Sequence, residues 1–465
     1  MGLSVAAASK PNILLIHADQ LRFDALAVNG HPLIRTPNLD RLAAEGVNYS
    51  HAFCPAPVCT PARASLLSGL WPTQHGCIAN TGTEAGRPMI EPTVTWPRLL
   101  AAAGYRLGYV GKWSVDEAGP TAHGFHDYVP DSAYGAWRQA RGIPPRPRCG
   151  WFGGTDPHAG ADQSRLAWGA DETIRLLREY AAGPAPFLLR WDPPEPHLPN
   201  IVPEPFASMY RPQSIAPWPS FPDPLEAKPY IQRQQRRTWE VEGWTWPQWQ
   251  PLVARYLGEV SLMDQQIGRV LEELERLGAA DDTLVVFSTD HGDLCGAHGM
   301  IDKHHVMYDD VVRVPLIARW PGRLARGITC DAFVCNALDL AVTLLSVAGL
   351  TSPPSFMGQV LSGFPGDDLR RRNDIFAMYQ GSQFGLYSQR MVRDRRWKYV
   401  WNATAEDELY DLSADPGEIV NRARDGSCAS ELARLRRRLI EWMQSIGDPL
   451  LNGWTRRQLE GGLKA

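Results

Sequence analysis

The chain has 465 residues, 44% of them hydrophobic and 21% charged, with a formal net charge of −4. That length exceeds one ordinary hydrophobic core, and the near-balanced charge gives no general attraction to nucleic acid or to an anionic membrane. Eight cysteines without a paired C-x-x-C argue against a zinc or disulfide framework, and no run reaches the ~18 apolar residues of a membrane span.

Met1 to Lys10 has a short alanine-rich run but no charged start and no apolar h-region, so no signal peptide is read and a cytoplasmic location is expected. Asn12 to Ala18 is a first buried strand, ending at Asp19-Gln20. Thr36-Pro37 opens a helix over Asn38 to Glu45, which Gly46 closes. Next comes Cys59-Thr60-Pro61-Ala62-Arg63. Pro61 suits a first helical turn, Cys59 stands at its start, and Arg63, one turn on, stays on the same side. A helix N-terminus attracts anions and a guanidinium adds forked recognition of tetrahedral oxyanions, which aims the sulfur at a sulfate or phosphate. Taken alone, the pattern also fits a buried cysteine beside a helix cap.

Further on, a helix is expected from about Thr95 to Ala103 and a strand over Tyr105 to Gly111, ending at Lys112. A helix near Ala161 to Tyr180 leads to a strand over Phe187 to Trp191, with His197 in the loop beyond. Pro193 to Trp249 is rich in Pro and Trp without a clear period and reads as long loops over the sheet. Leu252 to Leu277 is the clearest amphipathic helix. Thr283 to Thr289 is a core strand ending at Asp290-His291, and Asn336 to Ala348 is another helix. After about Ile375 short strands crowd together (Met391 to Arg393, Trp397 to Trp401, Glu408 to Leu412), followed by a basic helix over Glu431 to Ile446. Its arginines lack interleaved aromatics and read as a solvated face.

This order predicts an α/β fold: a large, mostly parallel central sheet flanked by helices, with a smaller C-terminal antiparallel sheet plus helix. Residues 1–370 would form the catalytic domain and 371–465 a small subdomain packed on it. In such sheets ligands bind beyond the carboxyl ends of the strands, so Asp19, Gln20, Lys112, His197, Asp290 and His291 are expected to converge on one crevice. Asp19, Gln20, Asp290 and His291 form a plausible divalent-metal set. Arg63, Lys112, Lys303 and His197 form a cationic clamp for an oxyanion, and Cys59 occupies the nucleophile's place.

These motifs resemble the type I sulfatases of the alkaline-phosphatase superfamily over nearly the whole chain. They are Ala18-Asp19-Gln20, Thr36-Pro37-Asn38-Leu39-Asp40-Arg41-Leu42-Ala43, Cys59-Thr60-Pro61-Ala62-Arg63, Gly111-Lys112-Trp113, Pro196-His197-Leu198-Pro199 and Asp290-His291-Gly292-Asp293 ahead of Lys303. Leu409-Tyr410-Asp411-Leu412 with Asp415-Pro416 completes the set. The resemblance implies hydrolysis of an aryl or carbohydrate sulfate monoester. Cys59 would be oxidised to formylglycine by a formylglycine-generating enzyme acting on the unfolded segment around it. It also implies one divalent metal ion, calcium in the common family pattern, with Cys59 among the residues around it. His197 or Lys303 would protonate the leaving alcohol.

Two positions depart from the family. Ser114 stands where many members have a histidine that helps collapse the sulfated intermediate, leaving Lys112 as a candidate for that step. Gln20 and His291 stand where many have Asp and Asn, which makes the site more tolerant of manganese or magnesium. Asp19-Gln20, with no histidine at Ser114, also resembles the phosphonate monoester hydrolase and phosphodiesterase branch, the alternative activity. A non-catalytic ligand-binding relative is the alternative of another class. Substrate specificity is expected in loops Asn80 to Arg87 and Pro193 to Trp249, with Asn80 a candidate for a substrate oxygen. Trp239, Trp244, Trp246 and Trp249 are candidates for stacking, and His75, His304 and His305 for supporting roles. The partners expected are thus a small-molecule or saccharide sulfate and the modifying enzyme, with no nucleic acid or membrane; an oligomer is possible.

Overall fold

The computed structural model describes residues 10–462 apart from positions 84, 382 and 384, so the stretch read for an export signal lies outside it except for Lys10. Eight strands form the central sheet. Their spatial order is Ile328–Cys330, Val47–Tyr49, Leu316–Arg319, Thr283–Thr289, Asn12–Ala18, Phe187–Asp192, Arg106–Gly111 and Asp127–Pro130. All run parallel except Leu316–Arg319, which is antiparallel to both neighbours. The central strand shows why: Ile13 and Leu15 enter one hydrophobic core while Leu14, Ile16 and Ala18 enter another. A strand apolar on both faces must be covered on both, which is the situation of a parallel sheet sandwiched by helices.

The second sheet is antiparallel, with strands Ile375–Gly381, Tyr387–Arg393, Trp397–Asn402 and Glu408–Asp411 in sequential order. Helix Ala429–Ser445 packs against it, and Trp442 stacks on Phe376 at 4.8 Å while meeting Trp71 edge-on at 5.0 Å. The helix arginines are not simply solvated: Arg434, Arg436 and Arg438 pair with Asp394, Asp407 and Asp374.

The stretch read as long loops contains a helix, Tyr230–Thr238, and the amphipathic helix begins at Trp246 and runs to Arg276. The shorter helix buries Gln232 and Gln235 rather than an apolar stripe, so no period betrays it. In the longer one Pro247 suits the first turn, and Pro251 masks the start of the apolar pattern. Cys330 and Cys335, close enough in sequence to pair, are free thiols.

Candidate active site

The strands Asn12–Ala18, Thr283–Thr289, Phe187–Asp192 and Arg106–Gly111 are mutually parallel, so their carboxyl ends deliver Asp19, Asp290, Asp192 and Lys112 to the same edge of the sheet. Gly111 is needed for this: its φ is +106°, and a Cβ there would fall 2.0 Å from the Asp192 carbonyl oxygen. The close approach lets the Lys112 N–H donate to that oxygen at 2.9 Å.

Helix Cys59–Ser68 points its N-terminus into this edge and is buried throughout. Asn80 Oδ1 accepts the Thr60 N–H at 3.1 Å, so this residue satisfies one of the free helix donors while also lining the cavity above. Cys59 Sγ lies 3.3 Å from His291 Nε2 and 3.7 Å from both Asp19 Oδ1 and Lys112 Nζ. Ligand atoms of Asp19, Cys59, Asp290 and His291 all lie within 4.8 Å of one another, and all four residues are buried. His291 Nδ1 lies 2.9 Å from the Gly292 carbonyl and must donate to it, which leaves the Nε2 lone pair facing the cluster. Oxygen, nitrogen and sulfur donors gathered this closely fit a divalent cation.

Gln20 sits at the cluster's edge, in the left-handed region at φ 64°. Its N–H donates to Asp290 Oδ1 at 3.1 Å, and its side chain turns away from the four. The amide oxygen accepts from Lys303 Nζ at 2.5 Å, while the amide nitrogen donates to Asp302 at 3.1 Å and to Asp293.

Arg63 departs from its expected role as an oxyanion clamp. Its side chain is fully buried, and its N–H groups are spent on the chain itself. Nε donates to Asp290 at 2.9 Å. Nη1 reaches Asp192 at 2.5 Å and the Lys112 carbonyl at 3.2 Å, and Nη2 reaches Asp19 at 3.0 Å and the Ala18 carbonyl at 3.5 Å. It holds three carboxylates in place and presents no open fork. The reason is local: three strand ends place aspartates around one helix face, and a single guanidinium neutralises them.

Burial and the neighbouring Asp19 both oppose ionisation of Cys59, yet Lys112 and Lys303 hold its thiol well below the ordinary range. Burial likewise disfavours the charge on Asp19, but Lys112, Arg63 and Lys303 keep its carboxyl well below the usual value. Lys112 pairs with Asp19 at 2.5 Å. Lys303 would be pushed down by burial; Asp302, Cys59, Asp19 and Asp290 raise it instead, so it stays charged. His197 Nδ1 lies 2.6 Å from the Leu198 carbonyl and donates to it, so Nε2 accepts from Lys303 Nζ at 2.6 Å. The two candidate acids therefore form one hydrogen-bonded pair.

Sequence reasoning missed Asp192, which takes Arg63 and also both arms of Arg190 at 2.7 Å. It gave no role to Asp293 of the quoted motif, and it missed Asp302 beside it behind Gln20 and Tyr379, which reaches the cavity from the second sheet. Ser114 Oγ stands 3.5 Å from Thr60 Oγ1, beside the helix start. Of the four candidate tryptophans only Trp239 lines the cavity; Trp244 and Trp249 pack on each other at 5.0 Å, and Trp246 packs on Phe221. His75 is buried against Ser65, His304 lines the cavity, and His305 meets the Tyr379 hydroxyl at 3.2 Å.

A two-faced parallel sheet whose strand ends gather a carboxylate–imidazole cluster around a buried cysteine at a helix N-terminus defines a hydrolase of the alkaline-phosphatase superfamily. Within it the chain belongs to the sulfatase family: the model described as "Sulfatase" matches residues 11–350, and "N-sulphoglucosamine sulphohydrolase, C-terminal" matches 296–445. It is similar to an ulvan-active sulfatase of Formosa agariphila, at 28% identity over 95% of this chain and 82% of that protein. It is also similar to an arylsulfatase of Clostridium perfringens, at 28% identity over 96% and 98%. Among solved structures, the phosphonate monoester hydrolase of Agrobacterium radiobacter superposes with a TM-score of 0.81 at 26% identity, covering 94% of this chain and 96% of that one. The protein is a sulfatase enzyme.

Proposed function

We propose that the protein hydrolyses a sulfate monoester with a formylglycine nucleophile made from Cys59, assisted by one divalent metal ion. The observation that carries this reading is the seat of Cys59 Sγ, at a buried helix start and within 3.7 Å of His291, Asp19 and Lys112. A metal ion held by Asp19, Asp290, His291 and, once its amide turns from Lys303, Gln20 would supply Lewis-acid charge to the ester oxygens and acidify a hydroxyl of residue 59. Lys112 and Lys303 flank the same point with positive charge, which suits a sulfuryl group whose charge spreads over its outer oxygens. The Lys303–His197 pair would supply the proton that the departing alcohol needs. Arg63 keeps the carboxylates spaced and charged.

Intact mass tests the nucleophile: conversion of Cys59 lowers the mass by about 18 Da. Cys59→Ala is expected to fold and to lose turnover by roughly 10³-fold or more. Full activity of unconverted protein overturns the reading. Two carboxylates with an amide and an imidazole form a set less specific for calcium than three carboxylates. Chelator-stripped protein is therefore expected to regain both thermal stability and turnover with manganese at least as well as with calcium. Recovery with calcium alone refutes that choice of metal.

The phosphonate monoester or phosphodiester reading keeps one specific support: the 0.81 superposition on a phosphonate monoester hydrolase, together with Asp19-Gln20 and Ser114. Turnover of a phenyl phosphonate monoester and a phosphodiester beside an aryl sulfate, on one converted preparation, separates the two.

A further inference from the structure

A cavity of about 670 Å³ opens above Lys303 and His197, on the side where the leaving group of an ester held at Cys59 would lie. Asp302, Lys303 and His304 line it beside uncharged polar groups such as Asn80 and Gln383, and the apolar part of its wall includes Leu198, Trp151, Trp239 and Tyr379. Trp151 is 61% exposed. Its ring meets Trp239 edge-on, with centroids 6.0 Å apart and planes at 81°. Trp239 is itself held from behind: Phe152 lies 6.3 Å from it, Trp244 lies 5.3 Å from Phe152, and the fully buried Trp249 lies 5.0 Å from Trp244. One indole is thus braced into the core, and the other, largely exposed, stands edge-on to it. That arrangement suits a flat ring, because aromatic surfaces gain from stacked and edge contacts at these spacings.

The charges are as telling as the rings. Among the described residues lining the cavity, the only basic side chains are Lys303, His304 and His197, and no arginine lines it. Lys303 and His304 already face Asp302, at 3.4 and 3.3 Å, and Lys303 also serves Gln20 and His197. A second sulfate or a carboxylate on the leaving group would lose its water here without gaining a cation, and Asp302 would repel it.

We infer that the leaving group accepted here is a flat, apolar ring system without further anionic charge, gripped by Trp151 and Trp239. The inference rests on the ester-hydrolase reading above and adds what hangs from the ester oxygen. It sets this pocket apart from one built for a polysulfated saccharide.

The test compares 2-naphthyl sulfate with glucosamine 6-O-sulfate and glucosamine 2-N,6-O-disulfate. The two sugars break the same ester bond, so intrinsic reactivity cancels between them. The disulfate is expected to show a kcat/KM at least ~10-fold below the monosulfate. Trp239→Ala and Trp151→Ala are each expected to raise KM for 2-naphthyl sulfate by roughly 5- to 10-fold, and KM for the sugar monosulfate by a smaller factor. Equal use of the two sugars, or Trp variants that leave the naphthyl KM unchanged, overturns the inference. Binding of free 2-naphthol to Cys59→Ala protein, followed by tryptophan fluorescence, separates the two layers. Naphthol binding, with converted wild-type protein hydrolysing none of the esters, supports this pocket and refutes the hydrolase reading. Ester turnover without naphthol binding refutes the pocket alone.

Discussion

At Arg63 one side chain serves three carboxylates from three different strand ends, and its replacement tells structure from chemistry. Lysine keeps the charge but cannot span Asp19, Asp192 and Asp290 at once. Arg63→Lys is therefore expected to weaken metal binding ~10-fold or more, and turnover with it, because the metal carboxylates lose their spacing. Titration of stripped protein with manganese, read calorimetrically, measures the first without relying on the second; unchanged affinity would return Arg63 to the oxyanion. Lys303 and His197 form the other pair. Removing either should cost esters of poorly departing alcohols ~10²-fold or more, and a nitrophenyl ester much less. Because they form one hydrogen-bonded pair, the double variant is expected to lose no more than the worse single variant. Multiplicative losses in kcat/KM would mean that they act separately.

Helix Trp246–Arg276 carries Glu259 into a buried corner beside Glu195, Arg146 and Arg165, where Asn200 donates to it at 2.7 Å. Burial first, then repulsion by Glu195, pushes its carboxyl up to about 7, against the opposing pull of Arg146, Asn200 and Arg165. A carboxyl raised on folding binds more protons in the native state. Its stabilising contribution is full below the unfolded value of 4.5 and is lost as pH rises through 7. Glu259→Gln removes that loss, so the variant should gain stability on the wild type between pH 5 and 8, on the order of 2 kcal/mol. Urea midpoints at several pH values measure it. The wild-type slope does not vanish entirely in the variant, because burial likewise raises Glu418 to about 7. The same helix shows where sequence stops informing. Strand ends were legible because an apolar run gives way to a polar residue at a sharp point, as at Ala18-Asp19 and Thr289-Asp290. Helix Tyr230–Thr238 was not, because it buries glutamines. Asp192 was passed over because Trp191-Asp192-Pro193 reads as a strand running into a loop. Arg63's true duty was hidden too, since it depends on aspartates 44 to 227 residues away in sequence.

At the scale of the whole molecule, the C-terminal sheet and its helix are packed on the first sheet through a shared core. Phe376, Trp401 and Trp442 of the second sheet and its helix belong to the same continuous core as Ile13 and Leu15 of the first. Tyr379 and Gly381 wall the catalytic cavity. A chain ended at 370 is therefore expected to be insoluble or loosely folded, and the full chain to melt in a single transition. Trp442→Ala should destabilise the full protein by about 3–5 kcal/mol. Two separate calorimetric transitions would show that the halves are independent.

Cys59 is 2% exposed, and 232 residues of chain separate it from His291. During synthesis it leaves the ribosome long before the strand that seals it exists. At ~5–20 residues per second that interval lasts roughly 10–50 s. On the formylglycine reading, this delay is the time the oxidising enzyme has to act. The active fraction of a preparation is then set by a race between elongation and oxidation. Slower translation should raise it, and no treatment of the finished, folded protein should.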